Sequence, residues 1–390
     1  MKQILLQNVQ VWTMDDADRR FSGWVLLEGG KIAAMGESDP PACAEVIDGQ
    51  GGVLTPGLID IHAHIGLYED GLGFEGADGN EDTDPITPHL SVIDGVNPMD
   101  RAFRETVEAG VTAVAVSPGS ANPIGGQIAL LHTAGRRVDD MVLKAPLAVK
   151  FALGENPKST YHGKDESPVT RMATAALIRE QLCKAKEYLA RKEHAEQDPD
   201  QDAPDYDCKL EALLPLLRGE AQAHFHAHRA DDIFTALRLA KEFALRAVII
   251  HGTEGHLVAD LLAEEGVPVV CGPYMTDRSK PELQNLTDAA PGILCRAGVP
   301  TAITVDHPET PLRLLPMALM LAVRAGMDRT DALRAVTSVP ARIAGVDDRI
   351  GRLAVGLDAD CVLWSGDPLD MTTQVRAVFI GGVPEYRRTL

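Results

Sequence analysis

The sequence has no surplus of positive charge: Lys and Arg number 37 against 57 Asp and Glu, for a formal net charge of −20. Such a surface repels phosphate backbones and anionic lipid, so nucleic acid is not an expected partner. No apolar run approaches the ~18 residues that span a bilayer, and after Met1 the chain enters Gln3-Ile4-Leu5-Leu6 without a basic leader. A membrane partner is therefore not expected either. Paired cysteines are also missing. Cys43, Cys183, Cys208, Cys271, Cys295 and Cys361 are scattered, with no Cys-x-x-Cys, which fits reduced structural thiols in the cytoplasm better than a disulfide framework.

What is present is a large apolar fraction. With 390 residues and 45% hydrophobic composition, the chain can bury an extensive core. Length alone suggests two or three domains, but a single α/β barrel consumes about 250 residues and lowers that count. Residues 3–54 alternate short apolar runs (Ile4-Leu5-Leu6, Trp24-Val25-Leu26-Leu27) with turn clusters such as Gly29-Gly30, and residues 353–383 read the same way. Neither end has enough strands for a core of its own. The reading is one composite β-sandwich from residues 1–54 and 353–390.

Between the ends, strand-like runs alternate with helical periodicity, the pattern of βα units around a parallel sheet. Seven such runs start at Gly57, Val111, Leu147, Gln222, Ala247, Val267 and Thr301, and an eighth is expected near Gln127–Leu131. The economical architecture for 55–352 is a closed (β/α)8 TIM barrel. Residues 171–193 carry helical periodicity, and the polar stretch 198–207 follows, so a helical insertion around 165–218 is expected beside the barrel.

The chain is organised around Gly57-Leu58-Ile59-Asp60-Ile61-His62-Ala63-His64. A strand sends alternate side chains to one face, so Asp60, His62 and His64 point the same way, and two imidazoles converge on a point where a divalent metal can be held, with Asp60 fixing ring orientation. A lone His-x-His is more often structural, so the case depends on what stands downstream. Barrel active sites sit at the C-terminal strand ends, and metal-capable residues recur there: Lys150 in Ala148-Val149-Lys150-Phe151, His224, His226 and His228 on one face of the next strand, His251 ending the strand after it, and Asp306 ending the last. A buried unpaired lysine is costly; the residues alone leave Lys150 open between a snorkelling edge position and a functional group. His224 and His256 are alternative ligands ranked below His226 and His251.

With those residues in place the chain resembles the amidohydrolase superfamily, in the branch that includes imidazolonepropionases and related dipeptidases. The likeness is carried by Val53-Leu54-Thr55-Pro56-Gly57-Leu58-Ile59-Asp60-Ile61-His62-Ala63-His64, His226-Ala227-His228, Ile250-His251-Gly252, Thr304-Val305-Asp306 and Gly356-Leu357-Asp358-Ala359-Asp360-Cys361-Val362. The resemblance implies that His62, His64 and Asp306 bind one divalent metal and His226 and His251 a second. It further implies two zinc ions per chain bridged by carboxylated Lys150, and Asp306 as the catalytic proton carrier. The implied reaction is hydrolysis of an amide-type C–N bond in a dipeptide, N-acyl amino acid or cyclic amide. His228, Arg229 and Asp232 are expected at the substrate, a small molecule, and a homo-oligomer is expected. Two other readings stand beside it: a one-metal imidazolonepropionase-like hydrolase or deaminase, which has no need of a bridging lysine, and a non-catalytic scaffold on the same fold. The loop from Ile65 to Asp100 carries Glu69, Asp70, Glu75, Asp78, Glu81, Asp82 and Asp84 without one Lys or Arg, and is read as a solvated surface or an acidic rim.

Overall fold

The computed structural model describes residues 3–198 and 200–388. Met1, Lys2, Pro199, Thr389 and Leu390, which fall within the expected domain and linker ranges, lie outside the described residues.

The two chain ends meet in one sheet. Its strands are β1 (Gln3–Trp12), β2 (Arg20–Glu28), β3 (Lys31–Gly36), β4 (Val46–Asp48) and β5 (Val53–Pro56) from the start of the chain. The barrel strands follow: β6 (Leu58–Ala63), β7 (Val111–Val116), β8 (Ile124–His132), β9 (Val142–Ala152), β10 (Gln222–Ala227), β11 (Ala247–His251), β12 (Val269–Cys271) and β13 (Thr301–Ile303). The C-terminal segment returns β14 (Cys361–Trp364), β15 (Val375–Ile380) and β16 (Val383–Arg387) to the first sheet. There β14 pairs antiparallel with β5, and the order runs β16-β15-β14-β5-β1-β2-β3 with β4 on β1. Alternate residues from both ends (Ile4, Leu6, Val25, Leu27, Leu363, Phe379) share one buried cluster, so each end supplies the burial the other lacks. The fold is a TIM barrel carrying a small sandwich-type domain made from both chain ends.

The barrel sheet runs in chain order from β6 to β13, but it is not uniformly parallel. β8 stands where an eighth strand was expected and is antiparallel to both neighbours. The reason is connection length. A parallel neighbour needs a crossover of about a dozen residues or more, and residues 117–123 and 133–141 on either side of β8 are too short for one. Closure between β13 and β6 uses side chains: Thr304 Oγ1 donates to the His62 carbonyl (2.6 Å) and the Val305 N–H donates to Asp60 Oδ2 (3.0 Å).

The expected helical insertion around 165–218 takes a more ordinary place. Helix Arg171–Gln197 is capped by the Thr170 side chain and buries Thr174, Ile178, Leu182, Ala185 and Tyr188 along one stripe. Its apolar residues join Phe151, Phe225 and Ile233 in the barrel's outer core. It is the crossover helix that the parallel pair β9 and β10 requires. The two parts of the fold share a seam as well, where His132 Nε2 of β8 lies 3.0 Å from Asp360 Oδ2 beside β14.

Candidate metal centre

At the C-terminal end of the barrel, side chains from β6, β10, β11 and the loop after β13 converge. His62 Nε2 and His64 Nε2 each lie 3.2 Å from Asp306 Oδ1. Neither contact has hydrogen-bond alignment: His62 Nδ1 and Nε2 and Asp306 Oδ1 are buried and lack hydrogen-bond partners among the described residues, as does His226 Nε2. Buried polar atoms are nearly always satisfied, so a cluster of orphans aimed at one another fits a cation bound among them. Two groups offer ligand atoms within 4.8 Å of one another: His62, His251 and Asp306, and His226, His228 and His251.

The imidazoles are held from behind. His64 Nδ1 is 2.6 Å from the Ser117 carbonyl and His251 Nδ1 is 2.7 Å from the Gly272 carbonyl, so in both rings Nδ1 carries the proton and Nε2 presents a lone pair. His226 Nδ1 meets Ser120 Oγ at 2.9 Å and His228 Nδ1 meets Thr253 Oγ1 at 2.7 Å. His228 stacks on His251, ring centroids 4.6 Å apart. Burial holds His62, His226 and His228 well below the usual imidazole range and brings His251 to about 4, so these rings are neutral, as ligation needs. For Asp306 burial pulls upward, but the imidazoles of His251, His62 and His64 around it outweigh that and hold the carboxyl well below the usual carboxylate range.

The backbone is strained where ligands are placed. His251 (φ 71°) and Asp306 (φ 54°) are left-handed although neither is glycine, a conformation that costs ~1–3 kcal/mol and persists only where the surroundings enforce it. The Asp306 N–H donates to Thr304 Oγ1 (3.0 Å), which fixes the turn that swings the carboxylate over His62 and His64.

Lys150 is fully buried on β9, opposite His224 in register, and among the described residues its Nζ has one weak hydrogen-bond contact, 3.4 Å to the Pro118 carbonyl. Burial brings it down to about 7. The snorkelling alternative fails, because the ammonium end does not reach solvent. His224 lies deeper, facing Gln222 Oε1 at 3.1 Å, and His256 binds the Thr253 carbonyl of its own turn.

Other expectations need correcting. Asp60 does not orient a ring: its oxygens accept the His62 and Val305 backbone N–H groups, so it ties β6 to the last strand. Arg229 forks onto Asp231, with Nε–Oδ1 and Nη2–Oδ2 both 2.9 Å, and is half exposed. Asp232 is buried against Arg171 Nε at 2.9 Å. Neither Arg229 nor Asp232 lines the central cavity of about 420 Å3, whereas His64, His226, His228 and Asp306 do. The acidic loop is partly neutralised by cations far along the chain, Lys164 on Asp82 and Lys209 on Asp84. A larger groove of about 900 Å3 lies between helix Arg101–Glu108 and β16, remote from the histidines, and offers none of this chemistry.

Sequence reasoning missed several cavity residues. Tyr68 stacks edge-on against His64 and receives the Asn80 amide at 2.6 Å. Lys280 enters from the loop after β12, and Glu282 of the same loop lines the neighbouring cleft, its buried Oε1 4.0 Å from His226 Nε2. In the loop before β8, the Ser117 carbonyl and Ser120 hydroxyl were not legible as supports for histidines. Polar residues in loops carry no periodicity that would have marked them.

The sequence model of the Amidohydrolase family matches residues 53–384. The crystal structure of an amidohydrolase from Thermotoga maritima MSB8 superposes with a TM-score of 0.96 at 43% identity, covering 99% of this chain and 100% of that one. The amidohydrolase tasK of Hapsidospora irregularis is 29% identical over 430 residues and covers 99% of this chain, which spans 43% of that relative's length. An imidazolonepropionase of Idiomarina loihiensis is 27% identical over 434 residues, covering 98% of this chain and 97% of its own.

Proposed function

Since this chain belongs to the amidohydrolase family, hydrolases of carbon–nitrogen bonds, we propose that it is a two-metal member cleaving an amide-type bond in a dipeptide, N-acyl amino acid or cyclic amide. His62, His64 and Asp306 hold one ion, and His226 and His251 the other, with His228 near enough to join them or to face substrate. Zinc suits the nitrogen and oxygen donors. When bound, the ions polarise a substrate carbonyl and bring the ionisation of water near neutral pH.

Lys150 carries the two-metal reading. An amine at about 7 is substantially neutral at physiological pH, and the neutral amine adds to carbon dioxide to form a carbamate, releasing one proton. That converts a buried amine with one weak contact into an anion facing neutral imidazoles, the charge that two cations in the site would require. A one-metal site gives the same residue no such resolution, although the likeness to an imidazolonepropionase keeps cyclic amides among the substrates to be tried.

Asp306 is the proton carrier. Its carboxylate is ionised and aimed into the cavity by a strained turn, so it can take a proton from the attacking water and deliver it to the departing nitrogen. Tyr68, whose phenol burial pushes up to about 12, stays protonated and can donate a hydrogen bond to substrate.

The test is elemental analysis of protein purified without chelator, coupled to a screen against dipeptides, N-acyl amino acids and lactam rings. Two ions per chain with turnover in one class is the expected outcome. Saturation at one ion, even with zinc and bicarbonate supplied, removes the two-metal reading, and an empty screen removes the substrate class.

A further inference from the structure

We propose that Lys280 takes a carboxylate of the substrate, which narrows the substrate class to amides bearing a free carboxylate, such as N-acyl amino acids and dipeptides. This rests on the reading of the central cavity as the site of amide hydrolysis.

A carboxylate in this cavity needs a cationic partner, and the choice is short. Among the described residues, Lys280 is the one Lys or Arg that lines the cavity. Arg229 and Arg171 are taken by Asp231 and Asp232 and, with Lys158, line a neighbouring cleft instead.

Lys280 is also held in place before any ligand arrives. Its Nζ donates to Asn156 Oδ1 at 2.8 Å and sits 2.7 Å from Glu282 Oε1. Glu282 is itself fixed, 1% exposed, with Oε2 accepting the Glu155 N–H at 3.0 Å. The chain makes room for that carboxylate at Gly154 (φ +82°), where a Cβ would stand 2.8 Å from Glu282 Oε2. An ammonium has three N–H donors. One is directed to Asn156, Glu282 Oε1 holds the charge without a hydrogen bond, and donors remain for a ligand on a side chain that stays about one quarter exposed.

The position fits the reaction. Glu282 Oε1 lies 3.7 Å from His228 Nε2 and 4.0 Å from His226 Nε2, so Lys280 stands one carboxylate away from the histidines proposed for the second ion. A substrate carboxylate held there leaves its amide group over the ligands. Because Glu282 offsets the lysine charge at distance, the selectivity is a contact effect rather than a field effect, and we expect about 10-fold discrimination, the range of one charge-assisted hydrogen bond.

The experiment uses the full-length protein as purified and two ligands without a C–N bond, 4-methylpentanoate and 4-methylpentan-1-ol, with binding read by calorimetry. Wild type should bind the acid about 10-fold more tightly than the alcohol. Lys280→Met should bring the two within about 2-fold, with metal content unchanged, and Lys280→Arg should keep most of the preference. A preference that survives in Lys280→Met, or one absent from wild type, overturns the assignment. Turnover of N-acetyl-leucine by the same preparations is scored separately: its absence in wild type counts against the proposed reaction, while the binding comparison still decides Lys280.

Discussion

Among the described residues an aspartate faces histidine at the barrel mouth and another at the seam between the barrel and the terminal sheet, and they are built to opposite rules. At the seam, Asp360 is complete: Oδ2 meets His132 Nε2 at 3.0 Å and Oδ1 accepts the Gly381 N–H at 2.7 Å. At the mouth, Asp306 Oδ1 stands 3.2 Å from two imidazoles without a hydrogen bond to either, on a left-handed backbone. Two lysines of β9 repeat the contrast. Lys144 donates to the Ala344 carbonyl at 2.8 Å, while Lys150, buried deeper toward the mouth, has only a 3.4 Å contact. Where polar groups are satisfied the structure is being held together. Where they are left short and strained, something else is meant to bind.

The sharpest way to break this contrast is Lys150→Met. If Lys150 serves the site at the expense of the fold, the variant should lose all measurable turnover and hold less metal, yet its metal-free form should be more stable by about 1–3 kcal/mol, because methionine fills the same apolar space without a buried amine. Denaturant melts beside metal analysis check both halves. A variant that is active, or destabilised, would put Lys150 with Lys144 among the structural residues. Asp306→Asn comes next: it keeps an oxygen donor but cannot carry the proton, and turnover should fall by roughly 10²–10⁴ with metal content retained. Undiminished turnover takes Asp306 out of the mechanism.

Asp360→Ala tests the satisfied member. It strands His132 and the Gly381 N–H at a seam that is otherwise closed, and should cost about 1–3 kcal/mol of stability. Its kcat should remain within about 2-fold of wild type, since the residue belongs to the terminal sheet and not to the cavity. A large kcat loss in a still folded variant would mean that the seam and the mouth are coupled, and the contrast would fail.

How much of this was legible in the sequence follows the same division. The strand ends carrying His62, His64, Lys150, His226, His251 and Asp306 could be read because apolar runs fix strand positions and their period fixes the facing side. The composite sheet could be read because neither end could bury a core alone. The direction of β8 was hidden, since an apolar run looks the same in either sense and only the shortness of its flanking loops decides. Arg229 was misplaced because sequence adjacency to His228 says nothing about where a long side chain finds its charge partner, here Asp231 two residues on. Lys280 and Glu282 were invisible because their roles depend on a loop folding back against Glu155 and Asn156, more than a hundred residues earlier.

The smallest predicted effect is a slope. Lys150 falls from its ordinary 10.5 to about 7 through burial. Between those values the unfolded chain holds a proton that the folded chain does not, so stability must rise with pH across that window, by up to about 1.4 kcal/mol per pH unit for one group. Below pH 7 both states are protonated and the slope disappears. Other groups contribute too. The lowered histidines act below about 6.5, Asp60, raised to about 7 by burial, acts in the opposite sense below that value, and the buried thiols of Cys271 and Cys361 oppose the rise once unfolded thiols ionise near 9. Lys144, also lowered by burial, acts in the same sense as Lys150, and Cys295, raised to about 11, joins the other thiols. Over pH 7.5 to 8.5 it is therefore the difference between wild type and Lys150→Met that isolates Lys150. Metal-free, bicarbonate-free wild type should gain roughly 1 kcal/mol over that interval, and Lys150→Met should be flat by comparison. Parallel slopes in the two proteins would show that Lys150 is charged or solvated in the fold, and the carbamate proposed on it would lose its neutral amine.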